Sequence, residues 1–151
     1  MANDPASLAG DLGSTPLQPP AHEVASALVG RLAHKARRRG GHVGRRPQSE
    51  LHALRKSLKK LRYSVEFLAP LGKKRRVKAY LRGCKALQQQ LGSMNDAVVA
   101  VALAERLGGD RRPELAPAVA ALAGWASAQQ DAAGRRLRRD WRKFGELPPP
   151  F

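Results

Sequence analysis

Residues 51–68 read LHALRKSLKKLRYSVEFL, and their apolar spacing leaves little choice of local structure. Leu51, Leu54, Leu58, Leu61, Val65 and Leu68 recur at spacings of three and four, which is one apolar stripe on a helix. At about 100° per residue, His52, Arg55, Lys59 and Arg62 form a second stripe beside the first. Lys56, Lys60 and Tyr63 lie just beyond it. Such a helix buries its leucines and holds five cations within three turns, with only Glu66 to answer them. Like charges at these spacings repel by roughly a few tenths of a kcal/mol per pair. A helix that accepts this repulsion points to an anionic partner.

The same periodicity recurs along the chain. A first helix is predicted over about residues 20–39, with Pro20 at its first position and an apolar stripe of Val24, Leu28, Leu32 and Ala36, supported by Ala21, Ala25 and Val29. Its end is cationic, from Arg31 through His34, Lys35, Arg37, Arg38 and Arg39. The macrodipole favours part of that run without any ligand. Gly40-Gly41 is expected to stop it, and a loop over 40–47 carries Arg45 and Arg46. The helix containing residues 51–68 is entered through Ser49 as N-cap and ended by Pro70 and Gly72. A third helix, about 73–91, has Val77, Tyr80, Cys84, Leu87 and Leu91 on its seam and Lys74, Lys78, Arg82 and Lys85 on a second basic stripe. Gly83 is read as a point of close approach by a neighbouring helix, and Gly92 as the stop. Ser93 to Asp96 reads as a tight connection, with Asn95 or Asp96 capping a fourth helix over about 97–107. A fifth runs from about 114 or 117 to 144, with Trp125, Trp141 and Phe144 read as core, and 146–151 is a short extended end.

No segment shows strand alternation, so the fold class is all-α: an antiparallel bundle of four to five helices. Residues 1–19, rich in Pro, Gly and small side chains, read as a disordered tail or linker, and 20–147 as the folded domain. At 151 residues the chain suits one domain.

Charge narrows the partner. Lys+Arg outnumber Asp+Glu 28 to 12, for a net +16, and all 28 cations lie from Arg31 onward. This points to nucleic acid, an anionic membrane surface or a phosphate polymer, with a solvated basic surface as the plain alternative. The single Cys84 excludes an internal disulfide and fits a reducing compartment. Neither a signal peptide nor a run of about 20 apolar residues is present, so the expectation is a cytoplasmic protein without a membrane span.

Chemistry is hard to assemble. Cys84 lies on an inward seam, and carboxylates are few and mostly near helix ends or loops. The histidines (His22, His34, His42 and His52) show no metal-binding spacing, so no metal, cofactor or catalytic residue is assigned. The basic stripes remain. Two helices joined by a Pro-Leu-Gly turn pack antiparallel, which sets their stripes side by side as a rigid trough that the end of the first helix could extend. Arg offers forked donors to phosphate oxygens and Lys a point charge. Aromatic residues suited to stacking on bases are scarce, with Tyr63 alone bordering the stripe.

LHALRKSLKKLRYSVEFL followed by LQQQLGSMNDAVVA resembles the second half of the CHAD domain, the conserved histidine α-helical domain. The matching residues are His52, Arg55, Lys59, Leu61-Arg62-Tyr63, Glu66, Leu87-Gln88, Leu91-Gly92 and Asn95-Asp96, within about residues 50–100, and the flanking helices extend the likeness to 20–147. The resemblance implies a non-enzymatic module binding inorganic polyphosphate, associated with polyphosphate granules or with regulation of polyphosphate metabolism. It implies ligand contacts from His52, Arg55, Lys56, Lys59 and Arg62 and from the third-helix cations Lys74, Lys78, Arg82 and Lys85; Arg38 joins them from the first helix. A full CHAD domain resembles two related helical halves, whereas this chain has one. It is therefore either a fragment or a single-half variant whose homodimer replaces the missing half. Rival readings are a sequence-nonspecific nucleic-acid-binding protein, a regulatory or scaffold subunit of a phosphate-handling enzyme, and a hydrolase.

Overall fold

The computed structural model describes residues 19–43, 47–108 and 112–151. Residues 1–18, in the tail, and Arg45 and Arg46 lie outside them. Four helices follow one another: α1 (Ala21–Gly40), α2 (Gln48–Leu68), α3 (Lys74–Gly108) and α4 (Ala116–Gly145). Single 3₁₀ turns at Ala69–Leu71 and Pro113–Leu115 precede α3 and α4. Among the described residues there is no strand. Neighbours in sequence pack against one another, α1 on α2, α2 on α3 and α3 on α4, as short connections require.

The core is the leucine stripe of α2 and what it touches. Leu54, Leu58, Leu61 and Val65 are fully buried, together with Cys84 and Leu87 of α3 and Leu137 of α4. Tyr80 and Phe144 close one end, with ring centroids 4.8 Å apart. Gly83 is the predicted close approach: a Cβ there would lie 2.7 Å from Cδ2 of Phe144.

α1 buries part of the expected stripe, Ala36 with the supporting Ala25 and Val29, and Leu32 packs on the core's edge, but the buried line is turned toward Ala33. Ala25, Val29, Ala33 and Ala36 face inward, and Val24 and Leu28 are exposed. Small side chains on that line let α1 lie close to its neighbours, and closeness outweighs the bulk of the rival line. Pro20 stands one position earlier than expected, outside the first turn, its carbonyl accepting from the backbone N–H of Glu23 and Val24. Gly40 is inside the helix rather than beyond it. Its missing Cβ makes room for Trp141, whose Cζ2 would otherwise be 1.8 Å away. The chain turns instead at His42, which takes the left-handed region at φ 58°.

α2 starts at Gln48 after Pro47, so Ser49 lies inside the helix and makes no cap. The larger correction is α3. It runs unbroken through Gly92, where a stop was expected, and carries the two helices predicted at 73–91 and 97–107 as one of 35 residues. Two side chains of the expected connection are occupied elsewhere. Ser93 Oγ donates to the carbonyl of Gln89, and Asn95 Oδ1 accepts from Gln48 Nε2 at 3.1 Å. Buried Leu91 and Ala97 carry the seam across the glycine.

Trp125 is not core, being 52% exposed, whereas Phe144 is buried and Trp141 packs on the core's edge. The C-terminal segment after α4 folds back: Pro150 is buried and Phe151 packs against the core, both lining a groove beside Val29 and Ala33.

Candidate anion-binding face

α2 orients its cations through its buried face. With Leu54, Leu58 and Leu61 inward, His52, Arg55, Lys56, Lys59 and Lys60 are exposed and Arg62 is half-buried. Two contacts fix which edge meets α3. His52 and Arg55 border a tight crevice with Leu91, Met94 and Asn95 of α3. Nearer the other end, the positive charge of Arg62 bears on the Cys84 thiol. The row His52, Arg55, Lys59 and Arg62 therefore flanks the α2–α3 seam.

On α3, Val77, Tyr80, Cys84, Leu87 and Leu91 are buried, and Lys74, Lys78, Arg82 and Lys85 are exposed. Lys78 and Lys85 lie about 100° round the helix from Val77 and Cys84. α3 runs antiparallel to α2, so this rotation carries them to the same outer side of the seam as the α2 row. Lys74 sits nearest the seam and Arg82 is turned furthest from it.

Arg38 is on the other flank of α2. It lines a groove of about 520 Å³ with His34, Lys35, Arg39, Glu50 and Ala53, between α1 and α2. Exposed Arg31 and Lys35 continue its line at spacings of four and three. That periodicity is legible in the sequence, and it gives α1 a basic line of its own beside α2, on the flank away from α3. Arg39 has a different role. Its Nη1 donates to the Ala53 carbonyl at 3.1 Å and to Ser57 Oγ at 2.6 Å, which clamps the end of α1 to α2.

Tyr63 organises the middle of the face. The Arg62 guanidinium carbon is 4.7 Å from its ring centroid and Lys59 Nζ is 5.7 Å from it. Arg62 is also paired with Glu66 at 3.5 Å, and its buried Nε makes no hydrogen bond. It is thus partly committed within the protein. Phe67, one turn past Tyr63, is 85% exposed, so Tyr63 does not border the face alone.

A separate basic region lies at the end of α4. Arg138 and Arg142 line an open cleft of about 710 Å³ with His42, Val43 and the Trp141 ring.

The buried titratable groups beneath the face are inert. Burial pushes the Cys84 thiol up to about 12, with Arg62 pulling it down and Glu66 adding to the rise. Burial likewise raises Tyr80 to about 12, with Cys84 adding to it and Arg37 opposing. A thiol held protonated is a poor nucleophile. Among the described residues no three His, Cys, Asp or Glu side chains are grouped to hold a metal ion. No described helix is long and apolar enough to cross a membrane.

The family model of the CHAD domain matches residues 3–105. The chain belongs to the CHAD domain family, whose members occur in polyphosphate-related proteins. The match takes in α1, α2 and nearly all of α3, and ends before α4. No curated protein and no solved structure matches the chain.

Proposed function

We propose that this protein binds inorganic polyphosphate without transforming it, along the outer face of α1, α2 and α3. The observation that carries the reading is the placement of the α2 and α3 cation rows on one side of their shared seam, with the groove of Lys35 and Arg38 on the next flank of α2. A linear polyanion can then meet side chains from successive helices without bending the protein. His52, Arg55, Lys56 and Lys59 would meet it from α2, and Lys74, Lys78, Arg82 and Lys85 from α3. Arg38 would extend the path, and Arg62 would add charge while held by Glu66 and Tyr63. Binding of this kind suits recruitment to polyphosphate granules or regulation of an enzyme that handles the polymer.

The second reading is nucleic-acid binding. It is favoured by one observation, the exposed Tyr63 and Phe67 a turn apart beside the cations, since bases stack on such rings. One experiment separates the two. Fluorescent long-chain polyphosphate is displaced by unlabelled polyphosphate, single-stranded DNA or duplex DNA, matched for charge at 150 mM salt. Polyphosphate binding predicts that the DNAs compete at least about tenfold more weakly, and that Tyr63→Ala/Phe67→Ala leaves polyphosphate affinity within about twofold. The variant Arg55→Glu/Lys59→Glu should lose binding with its helicity intact. Retained affinity in that variant would overturn the assignment of the face.

A further inference from the structure

The last part of α3 and the first part of α4 form an arm that leaves the bundle. Gln48, the first residue of α2, stands opposite Asn95, so α2 ends at that level. Further out, Gly108 packs on Val119 and Leu115, which are in α4 and the turn before it. The pairings of Gly83 with Phe144, Gln90 with Asp140 and Gly108 with Val119 set the register, and they place Trp125 near the level of Leu103. Along the arm Val99, Leu103 and Leu107 recur at four and are 54%, 51% and 66% exposed, and Trp125 is 52% exposed. Small alanines lie between these side chains, so the surface is apolar and shallow.

Charge says what can lie against it. Within residues 97–130, Arg106, Arg111 and Arg112 are offset by Glu105, Asp110 and Glu114, so the whole net charge of +16 resides in the rest of the chain. The positive charge is concentrated in residues 31–96 and 131–151, while residues 1–30 hold three carboxylates and no Lys or Arg. Copies brought together through their basic surfaces repel, and the neutral arm avoids that cost. A helical hairpin with an apolar outer face is also self-complementary under a two-fold axis. Two such hairpins laid face to face make a four-helix unit.

We propose that this arm is a self-association surface, and that its occupant is the arm of a second copy of the chain, packed about a two-fold axis through Val99, Leu103, Leu107 and Trp125. The arm spans about 18 Å of helix, at a rise of about 1.5 Å per residue, and is two helices wide. That lies at the small end of specific interfaces, so a weak, reversible dimer is the expectation. Polyphosphate binding is not needed for this assembly.

Sedimentation equilibrium of the full chain between 5 and 200 µM tests it without added polyanion. The expected result is a reversible monomer–dimer equilibrium that is unchanged or tightened when salt rises from 150 to 500 mM, because salt screens the repulsion between copies. Leu103→Glu/Leu107→Glu should weaken association at least about tenfold with circular dichroism unchanged. Val99→Lys, at the other end of the stripe, should do the same. A chain that stays monomeric at 200 µM, or a dimer whose strength none of these substitutions alters, would overturn the proposal.

Discussion

Replacing Gly92 by Ala separates a continuous α3 from two helices joined at residues 92–96. In a continuous helix Gly92 is an interior position, and glycine there costs about 0.8–1.0 kcal/mol relative to alanine. Nothing in its surroundings opposes the change. No described glycine has a positive φ, and a Cβ built at Gly92 meets no atom within 4 Å. The alanine also lowers the entropy of the unfolded chain, part of the same gain. Gly92→Ala should therefore stabilise the protein by about 0.5–1 kcal/mol. At about 2–4 °C per kcal/mol for a chain of this size, the melting temperature should rise by about 1–4 °C. Urea melts followed by circular dichroism at 222 nm would show the midpoint moving up with an unchanged slope. If Gly92 instead ended a helix in the left-handed conformation, alanine would be strained and the midpoint would fall. A fall would refute the unbroken α3, and with it the rigid arm.

Gly40→Ala should act in the opposite sense, costing about 1–3 kcal/mol by overpacking, because Trp141 Cζ2 stands 1.8 Å from the new Cβ; thermal melts beside Gly92→Ala would show it. Arg39→Ala should cost about 1.5–3 kcal/mol, through loss of its bonds to the Ala53 carbonyl and Ser57 Oγ, read as a drop in the urea midpoint. Polyphosphate affinity should fall by roughly 2 decades between 50 and 150 mM salt if about six cations replace counterions, at a slope of about 0.7–0.9 per cation as for nucleic acids; a flat titration would contradict the electrostatic reading. Cys84 and Tyr80 keep their protons to about pH 12 in the folded state, whereas the unfolded chain releases them near pH 8.5–10. Their contribution is thus complete below the unfolded values and is lost as pH rises toward 12, at up to about 1.4 kcal/mol per pH unit for each group. The fall in urea midpoint from pH 8 to 10.5 should accordingly be shallower in Cys84→Ala than in the native protein.

The α2 face was legible in the sequence because a single strong period carries both its burial and its charge. Leu54, Leu58, Leu61 and Val65 could face only the core, and once they did, His52, Arg55 and Lys59 had to lie outside. The basic stripe of α3 followed by the same reasoning from Cys84 and Leu87. Among the glycines, Gly83 was legible as a close approach, which Phe144 makes, whereas Gly40 and Gly92 both read as stops, yet one admits Trp141 inside α1 and the other has open space inside α3. The exposure of Trp125 was hidden as well, since an aromatic side chain reads as core until its neighbours are known.

Sequence alone therefore determined the helical fold class, the leucine core and the side of each helix that carries cations, because these depend on spacing within one helix. Tertiary structure decided the rest: that α1 buries its alanines instead of Val24 and Leu28, that α3 crosses Gly92 without breaking, and that Arg39 binds inward while Arg38 does not. Each of those outcomes turns on which side chains of a second helix lie against the segment, as Gln48 does against Asn95 and Ser57 against Arg39. Those partners are far away in the chain, and no local period encodes them.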